Sequence, residues 1–247
     1  MMDYLKMRAI PQVEWVDEFD VYRRTLQIVE NEIVYQGYIE VKPMSDEHYV
    51  SVKLSVGLEK VLLQVLRKIR RVFDLDAVPE ALPEGIHKGV RLPGCFDGFE
   101  VVLRAIIGQQ ITVKAATTLS GRMVSKYGAV ATTPWEELTR FFPRPQDFLN
   151  KSDPKVVRDA NVECNPQVEN DNIVDTLGKV GIISSRGHAI TSVVDAMVKN
   201  EITFDVSDGP DKLIKNLMKI KGIVIWTAQY VARSEEHTSE LQSRQVT

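Results

Sequence analysis

The residues best suited to chemistry lie in one short segment near the carboxyl end of the chain. Apolar helical spacing ends near Ile220, Gly222 supplies a tight turn, and Trp226 opens a new helical segment. Such a hairpin directs the backbone N–H groups at the start of its second helix outward, where they can bind a phosphate. Lys219 and Lys221 add positive charge beside the turn. Short hairpins of this shape are common and most bind nothing, so the spacing alone leaves phosphate binding open.

Two aromatic residues follow the turn. Trp226 and Tyr230 are four positions apart and therefore share one face of a helix. Such a pair offers a flat surface on which a planar ring can stack. Two aromatic residues at this spacing more often pack into a core than line a pocket, so both interpretations stay open.

The composition is that of an ordinary globular protein, with 247 residues, 44% of them hydrophobic and 26% charged. The sequence has no apolar run near the roughly eighteen residues of a membrane span and no signal-peptide pattern at its start. Its two cysteines, Cys95 and Cys164, exclude a disulfide framework, a four-cysteine zinc site and an iron–sulfur cluster. These features predict an intracellular protein without a metal, a cofactor or a membrane partner.

The net charge of -3 argues against a broadly basic nucleic-acid-binding protein. Positive charge is nevertheless concentrated locally, since residues 211–226 hold four lysines and one aspartate. A small DNA footprint needs only a local positive surface. The charge distribution therefore permits DNA binding without proving it.

The elements that must position these residues follow from the hydrophobic periodicity. Residues 25–29, 32–41 and 48–54 alternate as strands of an antiparallel sheet, with Asn31 in the first turn. The 3.6-residue period predicts helices over residues 57–73, 97–108, 112–127, 134–141, 186–199 and 211–220.

Together these patterns predict an α+β fold of two domains. Residues 1–76 form a small antiparallel sheet with a helix, and residues 94–232 form an all-helical domain. The prolines and glycines of residues 77–93 indicate a linker. Residues 156–175 are polar and lack periodicity, which predicts a loop or an insertion.

Two sequence blocks carry a family resemblance. The segment Leu217 to Ala228 resembles the pattern Leu-x-x-Pro-Gly-Ile-Gly-x-Trp-Thr-Ala of the helix-hairpin-helix DNA glycosylases. The segment from Leu92-Pro-Gly-Cys-Phe-Asp-Gly-Phe-Glu through Arg104-Ala-Ile-Ile-Gly-Gln-Gln-Ile-Thr resembles the start of the helical domain in the 3-methyladenine DNA glycosylase II type. Weaker similarity at Leu54-Ser-Val-Gly-Leu-Glu and Arg8-Ala-Ile extends the resemblance over almost all of residues 3–232.

The resemblance implies a base-excision repair enzyme that acts on double-stranded DNA containing alkylated bases such as 3-methyladenine. Such enzymes rotate the damaged nucleotide out of the duplex and hydrolyse its N-glycosidic bond. Trp226 stands where bifunctional relatives carry a Schiff-base lysine, so a monofunctional glycosylase is expected. The expected protein is a monomer without a cofactor, cytoplasmic in a bacterium or nuclear in a eukaryote.

The resemblance also assigns roles to individual residues. Gln109 and Gln110 stand where the family inserts the wedge that replaces the flipped base, with Gln110 the main candidate; apart from the resemblance, Gln110 is equally well a surface residue at a helix end. Trp226 and Tyr230 match aromatic residues of the base pocket, where a cationic alkylated purine would stack. The residues implied to bind the DNA backbone are Lys219, Lys221, Gly222, Val224 and Thr227.

The hairpin departs from the family pattern at two positions. Val224 replaces the second glycine and Lys221 replaces the proline. Glycine lets the backbone approach a phosphate closely, whereas a β-branched side chain hinders that approach. Weaker anchoring of the DNA backbone at the hairpin is therefore expected.

The end of the chain departs further. The family's catalytic aspartate is expected near position 246, but no Asp follows Asp211, so no catalytic residue is assigned. Residues 233–243 match the translation of a common sequencing-library adapter, and residues 233–247 are interpreted as an artefactual tail. The family's first strand is also missing, so we expect a chain that is truncated at both ends and inactive as written. The alternatives are a non-catalytic DNA-binding module and a truncated, non-functional product.

Overall fold

A computed structural model describes residues 1–44, 49–77, 91–149, 156–157, 172–204 and 209–235. The first part of the chain contains helix α1 (Met2–Arg8), strands β1 (Glu14–Val16), β2 (Tyr22–Glu30), β3 (Ile33–Met44) and β4 (Tyr49–Leu54), a 3-10 helix (Val56–Val61) and helix α2 (Leu62–Val72). The second part contains helices α3 (Gly98–Gly108) and α4 (Val113–Tyr127), a 3-10 helix (Pro145–Leu149), strand β5 (Val156–Val157), and helices α5 (Ile173–Lys179), α6 (Ser184–Val198), α7 (Pro210–Leu217) and α8 (Ile225–Glu235).

The sheet is an antiparallel meander in the order β1-β2-β3-β4. Asn31 and Glu32 form the turn between β2 and β3, and both have positive φ angles, 51° and 63°. Two positive φ angles match the right-handed twist of the strands on either side of a two-residue turn. The short strand β5 pairs in parallel with β3, an addition that the sequence analysis does not predict.

Helix α2 and the 3-10 helix before it cover one face of the sheet. Leu58, Val65 and Ile69 belong to one buried cluster with Leu26 and Ile39 of the strands. The predicted helix over residues 57–73 is confirmed, although its first part is a 3-10 helix. The α+β class and the three predicted strands are confirmed as well.

Helix α3 is the centre of a second core. It contacts α4, α6 and α8, and almost all of its side chains are buried, including Phe99, Leu103 and Ile106. A helix with neighbours on every side must be apolar around its circumference. Its amino end is capped by Asp97, whose carboxylate accepts a hydrogen bond from the Glu100 N–H at 3.0 Å.

The helix predicted over residues 134–141 is wrong. This segment forms turns, and Val130 pairs with Arg140 in an isolated antiparallel bridge. The N–H groups of Thr139 and Arg140 both donate to the carbonyl of Gln12, at 3.0 Å. The backbone of the segment thus finds its partners in a distant loop, and these tertiary hydrogen bonds override the local helical spacing.

Helix α1, strand β1 and helix α5 are elements that the periodicity did not reveal. Helix α5 begins at Ile173 and so occupies the end of the segment predicted as a loop over residues 156–175. Most of that segment lies outside the described residues, as do residues 78–90 of the linker and 236–247 of the predicted tail. Helix α8 runs through the first residues of that tail, to Glu235.

Within the described ranges, no helix has the length and apolar character needed to cross a membrane.

Candidate base-recognition site

The hairpin between α7 and α8 is built around Gly222. This residue has a φ of +96°, and a Cβ atom added to it would lie 2.7 Å from the Cβ of Ala189. Both the backbone conformation and the close approach to α6 therefore require glycine. The turn leads into the first residues of α8, whose N–H groups lie at the positive end of the helix dipole.

The residues predicted to bind the DNA backbone differ in their exposure. Lys219 and Lys221 are exposed, and the Lys219 ammonium donates to the side-chain oxygen of Asn216 at 3.0 Å. The Val224 side chain is also exposed at the hairpin tip. Thr227, by contrast, is fully buried.

The hydroxyl group of Thr227 contacts Gln109, at the end of α3. It accepts a hydrogen bond from the Gln109 side-chain amide at 3.2 Å, and the Gln109 carbonyl accepts one from the Arg186 guanidinium. Gln110 has a φ of +56° and an exposed side chain in the turn after α3. The two predicted wedge residues therefore differ: Gln109 joins α3 to α8, and Gln110 extends into solvent.

Trp226 and Tyr230 do not pack into the core. Their rings stack with 5.5 Å between centroids and 8° between planes, and the residues are 61% and 40% exposed. The sequence analysis left open whether these two residues pack into a core or line a pocket, and the structure places them together at a cavity. They share a wall of a cavity of about 270 Å³ between α1, α3, α4 and α8.

The cavity is also lined by residues to which the sequence analysis gave no role. The Arg8 guanidinium lies over the Tyr4 ring, 4.0 Å from its centroid, and Arg104 adds a second cation. Burial and the neighbouring Tyr4 raise the pKa of Tyr230. Within the described part of the chain, neither Asp nor Glu lines this cavity.

Arg104 is positioned by a buried cluster of charges. Its Nη1 atom lies 3.0 Å from Oε2 of Glu14 and 2.8 Å from Oε1 of Glu100. Burial alone would raise the pKa of Glu14, but the charges of Arg104 and Arg24 lower it below its ordinary value. The same carboxylates raise the pKa of Arg104 despite its burial. Glu14 and Arg104 therefore hold their charges at neutral pH.

A sequence signal existed for both arginines. Arg104 interrupts the apolar residues of α3, and a charge in a helix buried on all sides must find a partner. Arg8 belongs to the Arg8-Ala-Ile block, but its contact with the cavity depends on α1, an element that the periodicity did not predict.

Comparison with known proteins gives one match to the part of the chain that contains the sheet and another to almost the whole chain. The AlkA N-terminal domain matches residues 1–97. The chain is 29% identical to DNA-3-methyladenine glycosylase 2 of Escherichia coli (strain K12) over 243 residues. This alignment covers 94% of this chain and 74% of that relative. The chain is a homologue of DNA-3-methyladenine glycosylase 2.

Solved structures share the fold of this homologue. The 3-methyladenine DNA-glycosylase from Archaeoglobus fulgidus superposes with a TM-score of 0.68 at 21% identity, covering 93% of this chain and 73% of that one. The Clostridium acetobutylicum 8-oxoguanine glycosylase/lyase, solved with double-stranded DNA, superposes with a TM-score of 0.57 at 14% identity, covering 89% of this chain and 67% of that one. Identities this low show a shared fold, and the site must be argued from its own residues.

Proposed function

We propose that this protein is a monomeric DNA repair glycosylase that recognises alkylated bases, such as 3-methyladenine, in double-stranded DNA. The observation that carries the proposal is the exposed, parallel pair of Trp226 and Tyr230 in the wall of a cavity beside the hairpin. A flipped base needs a stacking surface of this kind to offset the free energy of unstacking it from the duplex.

In this proposal the hairpin and the turn after α3 engage the DNA from two sides. The exposed Lys219 and Lys221, together with the N–H groups at the start of α8, bind the phosphate backbone. The side chain of Gln110 enters the duplex and fills the space that the flipped base leaves. Gln109 keeps α3 and α8 at a fixed distance through its hydrogen bond to Thr227.

The proposed reaction is hydrolysis of the N-glycosidic bond. The bond between the base and C1′ breaks, and a cationic alkylated base that leaves with the bonding electrons departs as the neutral base. Water adds its oxygen to C1′ and releases a proton to the solvent. The product is an abasic site in an intact strand, because Trp226 has no amine with which to form a Schiff base.

The test is release of a free base from a duplex that contains a single 3-methyladenine or 7-methylguanine. The sequence analysis expects a chain that is inactive as written, and the proposal departs from it: it expects base release, a heat-labile abasic site afterwards, and no strand cleavage without heating. Release should be slower in Trp226→Ala, because the base loses a stacking surface worth about 1–3 kcal/mol, while Trp135→Ala, outside the cavity, should retain it. No release, together with equal binding of damaged and undamaged duplexes, would overturn the proposal.

A second candidate is a non-catalytic module that binds damaged DNA. One observation favours it: within the described ranges, the cavity lacks the carboxylate that would stabilise charge at C1′. Tight, lesion-dependent binding without any release of base would select this alternative over the enzyme.

A further inference from the structure

The turn after α3, which carries Gln110, is held by two neighbouring helices. The Gln109 side chain donates to the Thr227 hydroxyl of α8 at 3.2 Å. The Gln109 carbonyl accepts a hydrogen bond from the Arg186 guanidinium of α6. The second bond is made to the main chain and does not depend on the side chain at position 109. The contact with Arg186 therefore acts on the backbone of the turn itself.

This backbone contact lies directly before the candidate wedge. The Gln109 carbonyl belongs to the planar peptide group that leads to the Cα atom of Gln110. A hydrogen bond that orients this group therefore limits the rotation that sets φ of Gln110. That φ is +56°, a left-handed conformation that is unfavourable for a residue other than glycine. The bond from Arg186 helps to hold this conformation, in which the Gln110 side chain is exposed.

The position of Arg186 is unfavourable for α6 itself. Helix α6 begins at Ser184, so Arg186 lies in its first turn, where the positive end of the helix dipole repels a cation. The first turn of α6 contains no acidic residue that would offset this repulsion. Such a placement is expected of a residue whose contact with the turn after α3 matters more than its effect on its own helix.

The same face of α6 also contacts the hairpin. Ala189 follows Arg186 by three positions and so lies beside it on the helix surface. A Cβ atom added to Gly222 would lie 2.7 Å from the Cβ of Ala189, which shows how closely the hairpin packs on α6. One helix face thus contacts both the hairpin and the turn that carries Gln110, and it sets the distance between them.

We propose that Arg186 is a positioning residue for base flipping. Its hydrogen bond to the Gln109 carbonyl holds the Gln110 side chain at a fixed place relative to the hairpin, so that a hairpin bound to phosphate directs Gln110 into the duplex. The inference rests on the proposed function, because it requires that Gln110 enters the duplex. It gives Arg186 no contact of its own with a base or a phosphate.

The test measures lesion preference, defined as the Kd for an undamaged duplex divided by the Kd for the same duplex with a single 7-methylguanine. A 2′-fluoro sugar at the lesion slows base release, so the Kd reports binding even if the chain catalyses nothing. The ratio cancels any general loss of phosphate binding. The dependence of each Kd on salt concentration is measured alongside, because it counts direct phosphate contacts.

Arg186→Met should lower the lesion preference by roughly tenfold, the order expected for losing one hydrogen bond from a charged donor. The Tm should change little, since the same variant removes a cation from the first turn of α6. Arg186→Lys keeps a cationic donor and should recover part of the preference. Lys199→Met is the matched control: it removes an exposed positive charge at the other end of α6 and should leave the preference unchanged.

A double variant shows whether Arg186 acts through Gln110. Gln110→Gly keeps the stacking pair of Trp226 and Tyr230, so part of the lesion preference should remain. Glycine also adopts a positive φ without help from a neighbouring hydrogen bond. Adding Arg186→Met to Gln110→Gly should therefore lower the remaining preference by less than about twofold, because the two residues serve one function.

The outcomes separate the inference from the proposed function. If the wild type prefers the damaged duplex and Arg186→Met keeps that preference, the inference alone is overturned. It is overturned as well if Arg186→Met weakens both duplexes equally and makes the salt slope shallower by about 0.9, since Arg186 would then bind a phosphate directly. An equal loss in the presence and absence of the Gln110 side chain would show that Arg186 does not act through the wedge. A wild type without any lesion preference would overturn both the inference and the proposed function.

Discussion

Arg24 of strand β2 and Glu100 of helix α3 form an ion pair of 2.8 Å between side chains that are 3% and 4% exposed. Strand β2 and helix α3 contribute their apolar residues to different hydrophobic cores, so the pair ties the sheet to the helical domain in a place that water does not reach. Its Arg24 guanidinium also lies 4.2 Å from the centre of the Phe96 ring. The pair and its neighbours therefore couple the two parts of the chain.

Replacing Arg24 by Met should lower the free energy of unfolding by about 3–5 kcal/mol, because two buried carboxylates, Glu14 and Glu100, then share the single guanidinium of Arg104. Urea unfolding monitored by circular dichroism measures the change. Lys53→Met is the control, since its ion pair with Glu40 is largely exposed on the lysine side and should contribute below about 1 kcal/mol. Equal costs for the two variants would contradict this account of the interface.

The stability of the fold should depend on pH through Glu14. Its pKa in the folded chain lies below the ordinary value of 4.5, so its contribution is present above that pH and is lost as pH falls through the lowered pKa. The difference in Tm between the wild type and Glu14→Gln should be largest near neutral pH and shrink below about pH 4. A difference that stays constant across this range would show that Glu14 is not held ionised by its neighbours.

Trp226→Ala should weaken binding to a duplex with a damaged base by about 1–3 kcal/mol, because the base loses its stacking surface. The Tm should change little, since the Trp226 side chain is mostly exposed. Fluorescence anisotropy with damaged and undamaged duplexes measures the effect. Trp135 packs edge-on against Tyr38 with 5.1 Å between ring centroids, so Trp135→Ala should show the reverse pattern, a lower Tm with lesion preference unchanged.

Gln110→Gly should distinguish the role of the Gln110 side chain in base flipping from the role of its backbone in the turn after α3. Glycine adopts the φ of +56° without strain, so stability should hold or rise while base flipping is lost. A 2-aminopurine placed opposite the lesion site reports flipping through its fluorescence. Gln109→Ala instead removes the hydrogen bond to Thr227 and should cost about 1 kcal/mol of stability. Loss of flipping in Gln109→Ala alone would assign the wedge to the other glutamine.

Lys221→Ala should reduce the dependence of DNA binding on salt. If Lys221 contacts one phosphate, the slope of log K against log salt concentration should become shallower by about 0.9. Undamaged and damaged duplexes should lose affinity by the same factor, since a phosphate contact carries no information about the base. Lys60→Ala removes an exposed charge from the sheet domain and should leave the slope unchanged.

Much of the fold was predictable because its elements have strong local signals. The alternation of β2 and β3, the turn at Asn31 and the apolar stripe of α2 depend on residues close together in sequence. The segment of residues 134–141 shows the limit of this reasoning. Its helical spacing is real, but its backbone N–H groups pair with Gln12, more than a hundred positions earlier in the chain.

The features of the candidate site also fall into those with a local sequence signal and those set by tertiary contacts. The sequence by itself determined the hairpin at Gly222, the shared helix face of Trp226 and Tyr230, and the family blocks around Gln109 and Gln110, since each is a short segment with its own pattern. Only the tertiary structure decided that the aromatic pair lines a cavity, that Thr227 is buried against Gln109, and that Arg8 and Arg104 line the same cavity. The physical reason is that burial and charge compensation are set by contacts between α1, α3 and α8, which are far apart in the sequence and meet only in the folded chain.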